Sequence, residues 1–226
     1  MKYQFDFSFL VERWPDFLHG VLLTVEMTAI AVIMGAFFGT LCAVAHTGKV
    51  AWLRRMVSAY VEVIRNTPLL VQTFWLFFGL AAVLRLTAFQ AAVGALTVNV
   101  TAYSSEIIRA GIESIHKGQV EAAESLGLSR VQMLIDVILP PAIEKVIPAL
   151  TSQFVLMMLA SSIMCQISAE ELTAVGGRIM LETFRGIEIY IVIAGIYVLL
   201  SLLLRLVFRG VAYVAFPRRR RMKAGG

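Results

Sequence analysis

Five long stretches of the sequence contain no aspartate, glutamate, lysine or arginine, each 16 to 24 residues in length: 27–45, 67–84, 86–105, 146–169 and 189–204. A helix needs about 20 apolar residues to cross a lipid bilayer. The stretches therefore predict an all-α integral membrane protein with five transmembrane helices. We expect the first helix to begin nearer His19 and the last to continue toward Val214, with a tight turn at Arg85 between the second and third.

The composition excludes the main soluble classes of protein. The chain has 226 residues, of which 59% are apolar and 15% are charged. Soluble domains are usually about 45–50% apolar and about 25% charged, and disordered chains are more polar still. Because five crossings leave little length for a soluble domain, we expect any catalytic or nucleotide-binding domain to belong to other chains.

The net charge of +5 is distributed unevenly along the chain. With the N-terminus outside, 15 of the 20 lysine and arginine residues fall on the cytoplasmic side, which leaves outside Lys2, Arg13, Arg85, Arg178 and Arg185. Basic loops stay in the cytoplasm. The charge pattern therefore predicts an N-out, C-in topology.

The two ends of the chain carry membrane-anchoring patterns. The first apolar stretch is longer than the about 7–15 residues of a signal-peptide core, so we predict a retained helix. Trp14 and Phe17 beside Asp16 are typical of an interfacial anchor. The Arg218–Arg221 run is expected to bind lipid head groups, and no nucleic-acid partner is expected.

The segment between the third and fourth stretches is too charged to lie in hydrocarbon. It predicts a helix near 119–126, a turn at Gly127, and a second helix near 129–138 that is capped by Ser129 and ended by Pro140 and Pro141. Leu126 and Leu128 flank the turn as an apolar knob. Two interpretations stay open from the residues alone, namely a docking element for a partner protein and an ordinary amphipathic surface loop.

A specific motif lies in this segment. Glu121-Ala122-Ala123, then Gly127, Val137, Leu139 and Pro140 resemble the EAA motif of binding-protein-dependent ABC importer permeases, with Val137 in place of the usual isoleucine. The resemblance implies that this loop forms a coupling helix docking onto an ATPase subunit. The implied contact residues are Glu121, Ala122, Ala123, Leu126, Gly127, Leu139 and Pro140.

The resemblance extends over most of the chain. The segments IRNTPLLVQ (64–72), EIIRAGI (106–112) and SIHKGQ (114–119) are similar to the polar amino acid permeases of the histidine, glutamine and opine type. It implies a type I importer transmembrane domain, like that of the methionine importer, over 19–214 with its cytoplasmic loop at 109–145. A periplasmic N-terminal segment with an interfacial helix, 1–18, and a basic cytoplasmic tail, 215–226, flank this domain.

The resemblance also implies the partners and the location of the chain. The location is the bacterial inner membrane, and the partners are an ATP-binding subunit dimer, a periplasmic solute-binding protein, a second permease subunit and the lipid membrane. No cofactor is expected on this chain, because ATP and Mg are used by the partner ATPase.

Polar side chains within the apolar stretches are candidates for a translocation pathway, because their burial in lipid is costly. The candidates are Gln72, Asn99, Gln153, Ser161 and Ser162. A second interpretation stays open, since amides such as Asn99 and Gln153 also join helices to each other by hydrogen bonds.

The fourth stretch departs from the family at two positions. Family members read close to Leu-Lys-Asp-Thr-Ser-Leu there, whereas this chain has Leu159 and Ala160 at the lysine and aspartate positions. If the acidic residue holds the amino group of the substrate, this chain lacks it. A heterodimer with a sister permease that supplies the charged site is therefore favoured, and a homodimer stays open.

Two other classes of function are less well supported by the residues. A stand-alone secondary transporter or channel would need charged residues along a pore or an internal repeat, and neither is evident in the sequence. A membrane enzyme would need a metal cluster or a nucleophile with its base. His19, His46 and His116 are scattered, and Cys42 and Cys165 lie far apart in apolar surroundings.

Overall fold

The computed structural model describes residues 4–215, apart from the side chains of Ala81 and Ala82. Every regular element in that part of the chain is a helix. The basic tail, 215–226, lies outside the described residues except for Ala215. The helices are α1 (Phe9–Thr47), α2 (Ala51–Arg65), α3 (Leu69–Phe74, π-helical Trp75–Ala81 and Ala82–Leu84), α4 (Ala88–Glu113), α5 (Lys117–Ser125), α6 (Arg130–Ile167), α7 (Leu172–Thr183) and α8 (Gly186–Ala215).

Helices α1 and α4 form the most extensive helix pair, and small residues let their backbones approach closely. A Cβ atom on Gly35 would lie 2.5 Å from Val100 Cγ1, and one on Gly39 would lie 2.7 Å from Ser104 Cβ. Both distances are far below van der Waals contact. Small residues at helix interfaces are typical of membrane proteins, where dispersion contacts replace the hydrophobic effect between helices.

Helix α7 is a short element that the charge pattern did not predict. Its N-cap, Glu171, is fully buried and accepts hydrogen bonds from the backbone N–H groups of Thr173 (2.8 Å) and Ala174 (2.7 Å). The Tyr197 hydroxyl of α8 donates to the same carboxyl group at 2.7 Å. Burial raises the pKa of Glu171, and these three donors compensate for the lost hydration.

The N-terminal segment is fastened to the predicted outer end of α8. Arg185 Nη2 lies 2.9 Å from Asp6 Oδ2, and Arg13 Nη2 lies 2.7 Å from Glu182 Oε2. The N–H of Ser8 donates to Asp6 Oδ1 at 2.9 Å, and this bond, with the nearby Arg185 charge, lowers the pKa of Asp6. These contacts tie the start of α1 to the turn between α7 and α8.

The first helix begins earlier than the sequence indicated. It starts at Phe9 and continues without a break to Thr47, so the expected interfacial helix and the first predicted crossing form one continuous helix. The start of the crossing itself, near His19, stays a prediction. Pro15 lies inside the helix near its start and does not end it. Burial of Phe17 and Gly20 against the rest of the protein holds this segment helical despite the proline.

The prediction that Pro140 and Pro141 end a helix is wrong. Helix α6 runs from Arg130 to Ile167 and passes through Pro140, Pro141 and Pro148. A π-helical segment, Met133–Ile138, precedes the proline pair, which then sits in the first turn of the following α-helical segment, Leu139–Ala160. Prolines fit there because first-turn N–H groups have no intrahelical partner.

Within residues 4–215, three helices are long and apolar enough to cross a membrane by themselves: α1, α6 and α8. The second and third predicted crossings correspond to α3, which is short and partly π-helical, and α4, which is 26 residues long and richer in polar side chains. The count of five crossings therefore stays a prediction, as does the N-out, C-in topology. The turn expected at Arg85 is present between α3 and α4.

Replacement of Gly35 by valine tests the close packing of α1 on α4. The added methyl groups must displace Val100, and overpacking of this kind costs about 1–3 kcal/mol. We expect Gly35→Val to lower the thermal midpoint of the purified protein in detergent. Gly195→Val on α8 is the matched control, because no atom lies within 4 Å of a Cβ there. Equal midpoints for the two variants would contradict the close contact.

Candidate functional site

The predicted cytoplasmic loop folds into a compact helical hairpin. Helix α5 packs against the π-helical segment at the start of α6. Ala123 is only 3% exposed and Met133 is likewise buried, so Ala123 faces the hairpin interior. The sequence prediction of two helices joined at Gly127 is confirmed by the structure.

Gly127 ends α5 in the left-handed region, with φ +73°. The N–H of Gly127 donates to the Glu124 carbonyl at 2.9 Å, and the N–H of Leu128 donates to the Ala123 carbonyl at 3.2 Å. This pair of bonds is a Schellman motif, which favours glycine at this position. Nothing lies within 4 Å of a Cβ built on Gly127, so the backbone conformation, and not space within this chain, requires glycine.

Ser129 begins the second helix as the sequence predicted. Its hydroxyl accepts a hydrogen bond from the N–H of Gln132, while the Gln132 side chain accepts one from the N–H of Ser129 at 2.9 Å. This capping box fixes the direction in which the chain leaves the Gly127 turn.

The residues of the EAA motif divide into an exposed and a structural set. Glu121, Ala122, Leu126 and Gly127 are exposed, and Leu126 is 80% exposed although it is apolar. These four residues form what we name the hairpin tip. Ala123 packs inside the hairpin. Leu139 is half-buried and Pro140 is exposed, both after the π-helical segment of α6, where they belong to the stem of the hairpin.

The base of the hairpin is a tight contact between α4 and α6. A Cβ on Gly111 would lie 2.9 Å from the Ala142 carbonyl oxygen and 2.8 Å from Val146 Cγ1. The two backbones therefore touch directly where the hairpin leaves the helical core. Close-packed interfaces of this kind deform little.

A network of charged and polar side chains lies beside the hairpin base and was missed by the sequence reasoning. Glu106 is its centre, with Arg109 Nε at 3.0 Å, Arg65 Nη1 at 3.3 Å and His46 Nδ1 at 3.8 Å from its carboxylate oxygens. Arg109 also pairs with Glu113 at 2.7 Å. The i, i+3 spacing of Glu106 and Arg109 is a helical signal from which their contact could have been predicted.

The Glu106 network joins three helices near their predicted cytoplasmic ends. His46 belongs to α1, Arg65 to α2, and Glu106 and Arg109 to α4. The same residues line an open pocket of about 530 Å³. Arg65 also stacks over the Tyr103 ring, with 5.5 Å between the guanidinium carbon and the ring centroid.

Two of the predicted pathway residues, Gln72 and Asn99, are hydrogen-bonded to each other. Asn99 Nδ2 donates to Gln72 Oε1 at 3.0 Å, and Gln72 Nε2 donates to the Ile64 carbonyl at 2.7 Å. Gln72 therefore fastens the end of α2 and the start of α3 to α4. This geometry favours the helix-joining interpretation for both amides.

The other three predicted pathway residues lie on α6. Gln153 is buried in its α-helical part. The hydroxyl of Ser161 donates to the Met158 carbonyl at 2.6 Å, and that of Ser162 donates to the Leu159 carbonyl at 2.8 Å. Both serine hydroxyls therefore bond within their own helix at the transition to the final 3₁₀ segment, Ser161–Ile167.

The sequence and the hairpin together identify the family of the chain. Residues 35–221 match the family of binding-protein-dependent transport system inner membrane components. The chain belongs to this family. It is therefore an ABC importer permease of the inner membrane, which works with separate ATP-binding subunits and substrate-binding proteins and is not itself an enzyme.

Two permease proteins resemble this chain over nearly its whole length. The octopine transport system permease protein OccM of Rhizobium meliloti is 29% identical over 97% of this chain and 94% of its own length. The glutamine transport system permease protein GlnP of Escherichia coli (strain K12) is 34% identical over 91% of this chain and 95% of its own length.

Solved structures share the fold. The crystal structure of an amino acid ABC transporter with histidines superposes with a TM-score of 0.83 and 35% identity, and covers 93% of this chain and 99% of the other. An inward-facing MetNI methionine ABC transporter superposes with a TM-score of 0.78 at 21% identity, covering 91% and 98% of the two chains. The predicted type I importer fold is confirmed.

The Glu106 network predicts that Glu106 and Glu113, both on α4, contribute unequally to the stability of the protein. Glu106→Gln leaves Arg65 and Arg109 without their shared partner, and loss of such a charged hydrogen-bond hub costs about 1–3 kcal/mol. Glu113→Gln removes one exposed i, i+4 pair, worth about 0.5 kcal/mol or less. We expect thermal unfolding in detergent to show a clear loss of stability for Glu106→Gln alone. Equal midpoints would contradict the role of Glu106 as a hub.

Proposed function

We propose that this chain is the membrane-spanning subunit of an ATP-driven importer for polar amino acids, with basic amino acids or opines as the favoured substrates. The observation that carries the coupling role is the hairpin tip, an exposed surface of Glu121, Ala122, Leu126 and Gly127 on a rigid stem. The substrate class is supported by the octopine and glutamine permeases, which resemble this chain over almost its full length.

The hairpin tip has the properties of a docking element. Its apolar knob, Leu126, is held outward by the Gly127 turn, and the flanking alanines allow the close approach of a partner surface. In this proposal the tip lies in a groove of the ATP-binding subunit, as the helix-in-groove mode of recognition requires. Glu121 accepts hydrogen bonds from the partner or pairs with a basic residue there.

The stem transmits the movement of the partner into the membrane. When ATP closes the two ATP-binding subunits, both hairpins are drawn together as rigid bodies. The Gly111–Ala142 contact passes this movement to α4 and α6, and the Glu106 network carries it to α1 and α2. The pathway between the two permease subunits then opens outward, and hydrolysis resets it.

The second permease subunit is proposed to be a sister chain. The family resemblance implies charged residues at the positions of Leu159 and Ala160, so a pathway built from two copies of this chain would lack that acidic group. A sister permease would supply it from across the interface. Gln153, Ser161 and Ser162 lie on α6 near the same positions and are proposed to line this chain's side of the pathway, whereas Gln72 and Asn99 are proposed to hold helices together.

A stand-alone secondary transporter or channel is not favoured. The named relatives are permease proteins of transport systems, and the hairpin tip would have no task in a protein that works without a partner ATPase.

The isosteric pair Gly127→Asp and Gly127→Asn tests the docking role. Both residues tolerate the left-handed conformation, so the hairpin is expected to fold in each variant, and both side chains project outward. We expect Gly127→Asp to insert into the membrane normally but to lose at least about 10-fold in receptor-stimulated transport, the equivalent of about 1.4 kcal/mol at the interface. Gly127→Asn is expected to retain most of the transport.

The measurement is amino-acid uptake and ATP hydrolysis in proteoliposomes that contain the complete transporter. Glutamine, histidine, arginine and octopine are the substrates to compare. Wild-type transport by Gly127→Asp would contradict the docking assignment, and the absence of uptake of every polar amino acid by the unmodified complex would contradict the substrate class.

Expression with and without the sister permease tests the heterodimer. With the ATP-binding subunit and the solute-binding protein present, we expect transport only when the sister chain is expressed, because the acidic position comes from that chain. Purified complexes are expected to contain one copy of each permease by mass measurement. Full transport by this chain in the absence of the sister would make the functional unit a homodimer.

A further inference from the structure

Helix α2 has three distinct faces, of which two are accounted for by contacts within the chain. One face packs on the helical core, where Val57 and Val61 are buried in a cluster with Ala102 of α4. A second face is polar and carries Ser58 and Arg65, which line the pocket beside Glu106. The third face has no partner in the described part of the chain.

This third face is an exposed apolar stripe formed by Trp52, Met56, Ala59 and Val63. Trp52, Met56 and Val63 are 63%, 62% and 60% exposed, and Ala59 is also exposed. Their spacing of four, three and four residues keeps all four side chains on one line of an α-helix, at about 100° per residue. Such a continuous stripe on a short helix is typical of helices that lie in a membrane interface.

The contacts of α2 place it at the predicted cytoplasmic edge of the hydrocarbon layer. The Tyr60 hydroxyl donates to the Val98 carbonyl of α4 at 2.6 Å, and Arg65 pairs with Glu106. Glu106 follows immediately on the charge-free stretch 86–105. The C-terminal half of α2 therefore packs on α4 between Val98 and Glu106, over the last part of that charge-free stretch.

Basic side chains accompany the apolar stripe. Lys49, Arg54 and Arg55 are exposed at the start of α2. On the helix, Arg55 lies about 70° from the centre of the stripe, whereas Arg54 lies about 170° from it. Arg55 is thus placed at the edge of the stripe, and Arg54 lies on the opposite side of the helix from the stripe.

We propose that α2 is an in-plane helix that binds anionic lipid of the inner leaflet. The stripe of Trp52, Met56, Ala59 and Val63 enters the acyl boundary, while Arg55 and Lys49 bind lipid phosphates. Charge complementarity supports this occupant, since the cytoplasmic leaflet carries anionic head groups and attracts basic residues near its surface. Anionic lipid would in this way hold α2, and with it Arg65 of the Glu106 network, in place.

Lipid binding by neighbouring arginine variants tests the proposal. The complete transporter is placed in nanodiscs of phosphatidylcholine mixed with phosphatidylglycerol, and the bound lipids are counted by native mass spectrometry. We expect Arg55→Gln to reduce the preference for phosphatidylglycerol about fivefold, in line with the usual attraction of one basic residue to an anionic surface. Arg54→Gln removes the same charge from the opposite face and is expected to bind like the unmodified protein.

Equal losses for the two arginine variants, or no loss for either, would overturn the phosphate-binding role of Arg55. Arg205→Gln on α8 is a further control for basic residues at the cytoplasmic side, and a loss there equal to that of Arg55→Gln would likewise overturn it. Because the readout is bound lipid, the result does not depend on whether the transporter imports amino acids.

A spin label tests directly whether lipid, water or protein contacts the stripe. In a variant without Cys42 and Cys165, Met56→Cys is labelled and its collisions with oxygen and with a water-soluble nickel reagent are measured in the nanodisc. We expect high oxygen and low nickel accessibility, as for a site in lipid, and the reverse for a label at Arg54→Cys. A label at position 56 that is inaccessible to both would show a protein partner on the stripe, and one accessible to nickel would show water; either result would overturn the proposal.

Discussion

The close packing of α1 against α4 is the constraint on which the rest of the structure depends. Gly35 and Gly39 bring the two backbones together along Val100 and Ser104, and a larger side chain at either position would have to displace one of these neighbours. This contact fixes His46, at the end of α1, beside Glu106 on α4. It also creates the surface on which α2 packs through Val57 and Val61.

A second close contact connects this core to the cytoplasmic hairpin. Gly111 meets Ala142 directly below the hairpin, so α4 and α6 leave the core as a pair. The hairpin has its own internal supports in buried Ala123, the Gly127 turn and the Ser129 cap. The chain is thus a series of rigid parts joined by backbone contact, which suits a protein that converts the movement of a partner into a change between membrane helices.

Hydropathy and local turn chemistry predicted the parts of the structure that depend on neighbouring residues in the sequence. The apolar stretches lie in helices, and the Gly127 turn and the Ser129 cap are present because each requires only a few adjacent residues. The helix ends predicted from prolines were wrong, because a π-helical segment and tertiary packing decide whether a helix continues past a proline. Helix α7 was missed since its start depends on Tyr197, which lies far along the chain from Glu171.

In the candidate site, too, features set by neighbouring residues were predicted and features set by contacts between distant helices were not. Glu121 to Gly127 could be found from a local motif, and their exposure follows from a short helix and its turn. The pairing of Gln72 with Asn99 and the meeting of His46 and Arg65 at Glu106 depend on how distant helices cross, which a single sequence does not reveal. For that reason neither the hydrogen bond between Gln72 and Asn99 nor the ion-pair network beside the hairpin was predicted.

Cross-linking from the hairpin tip tests the central claim most directly. In a variant without Cys42 and Cys165, a cysteine at Leu126 carries a photoactivatable cross-linker in membranes that contain the complete transporter. The account predicts a covalent product between this chain and the ATP-binding subunit, formed in high yield because Leu126 is the exposed apolar knob of the docking surface. A transporter that is active but gives no product with the ATP-binding subunit from this position would contradict the account.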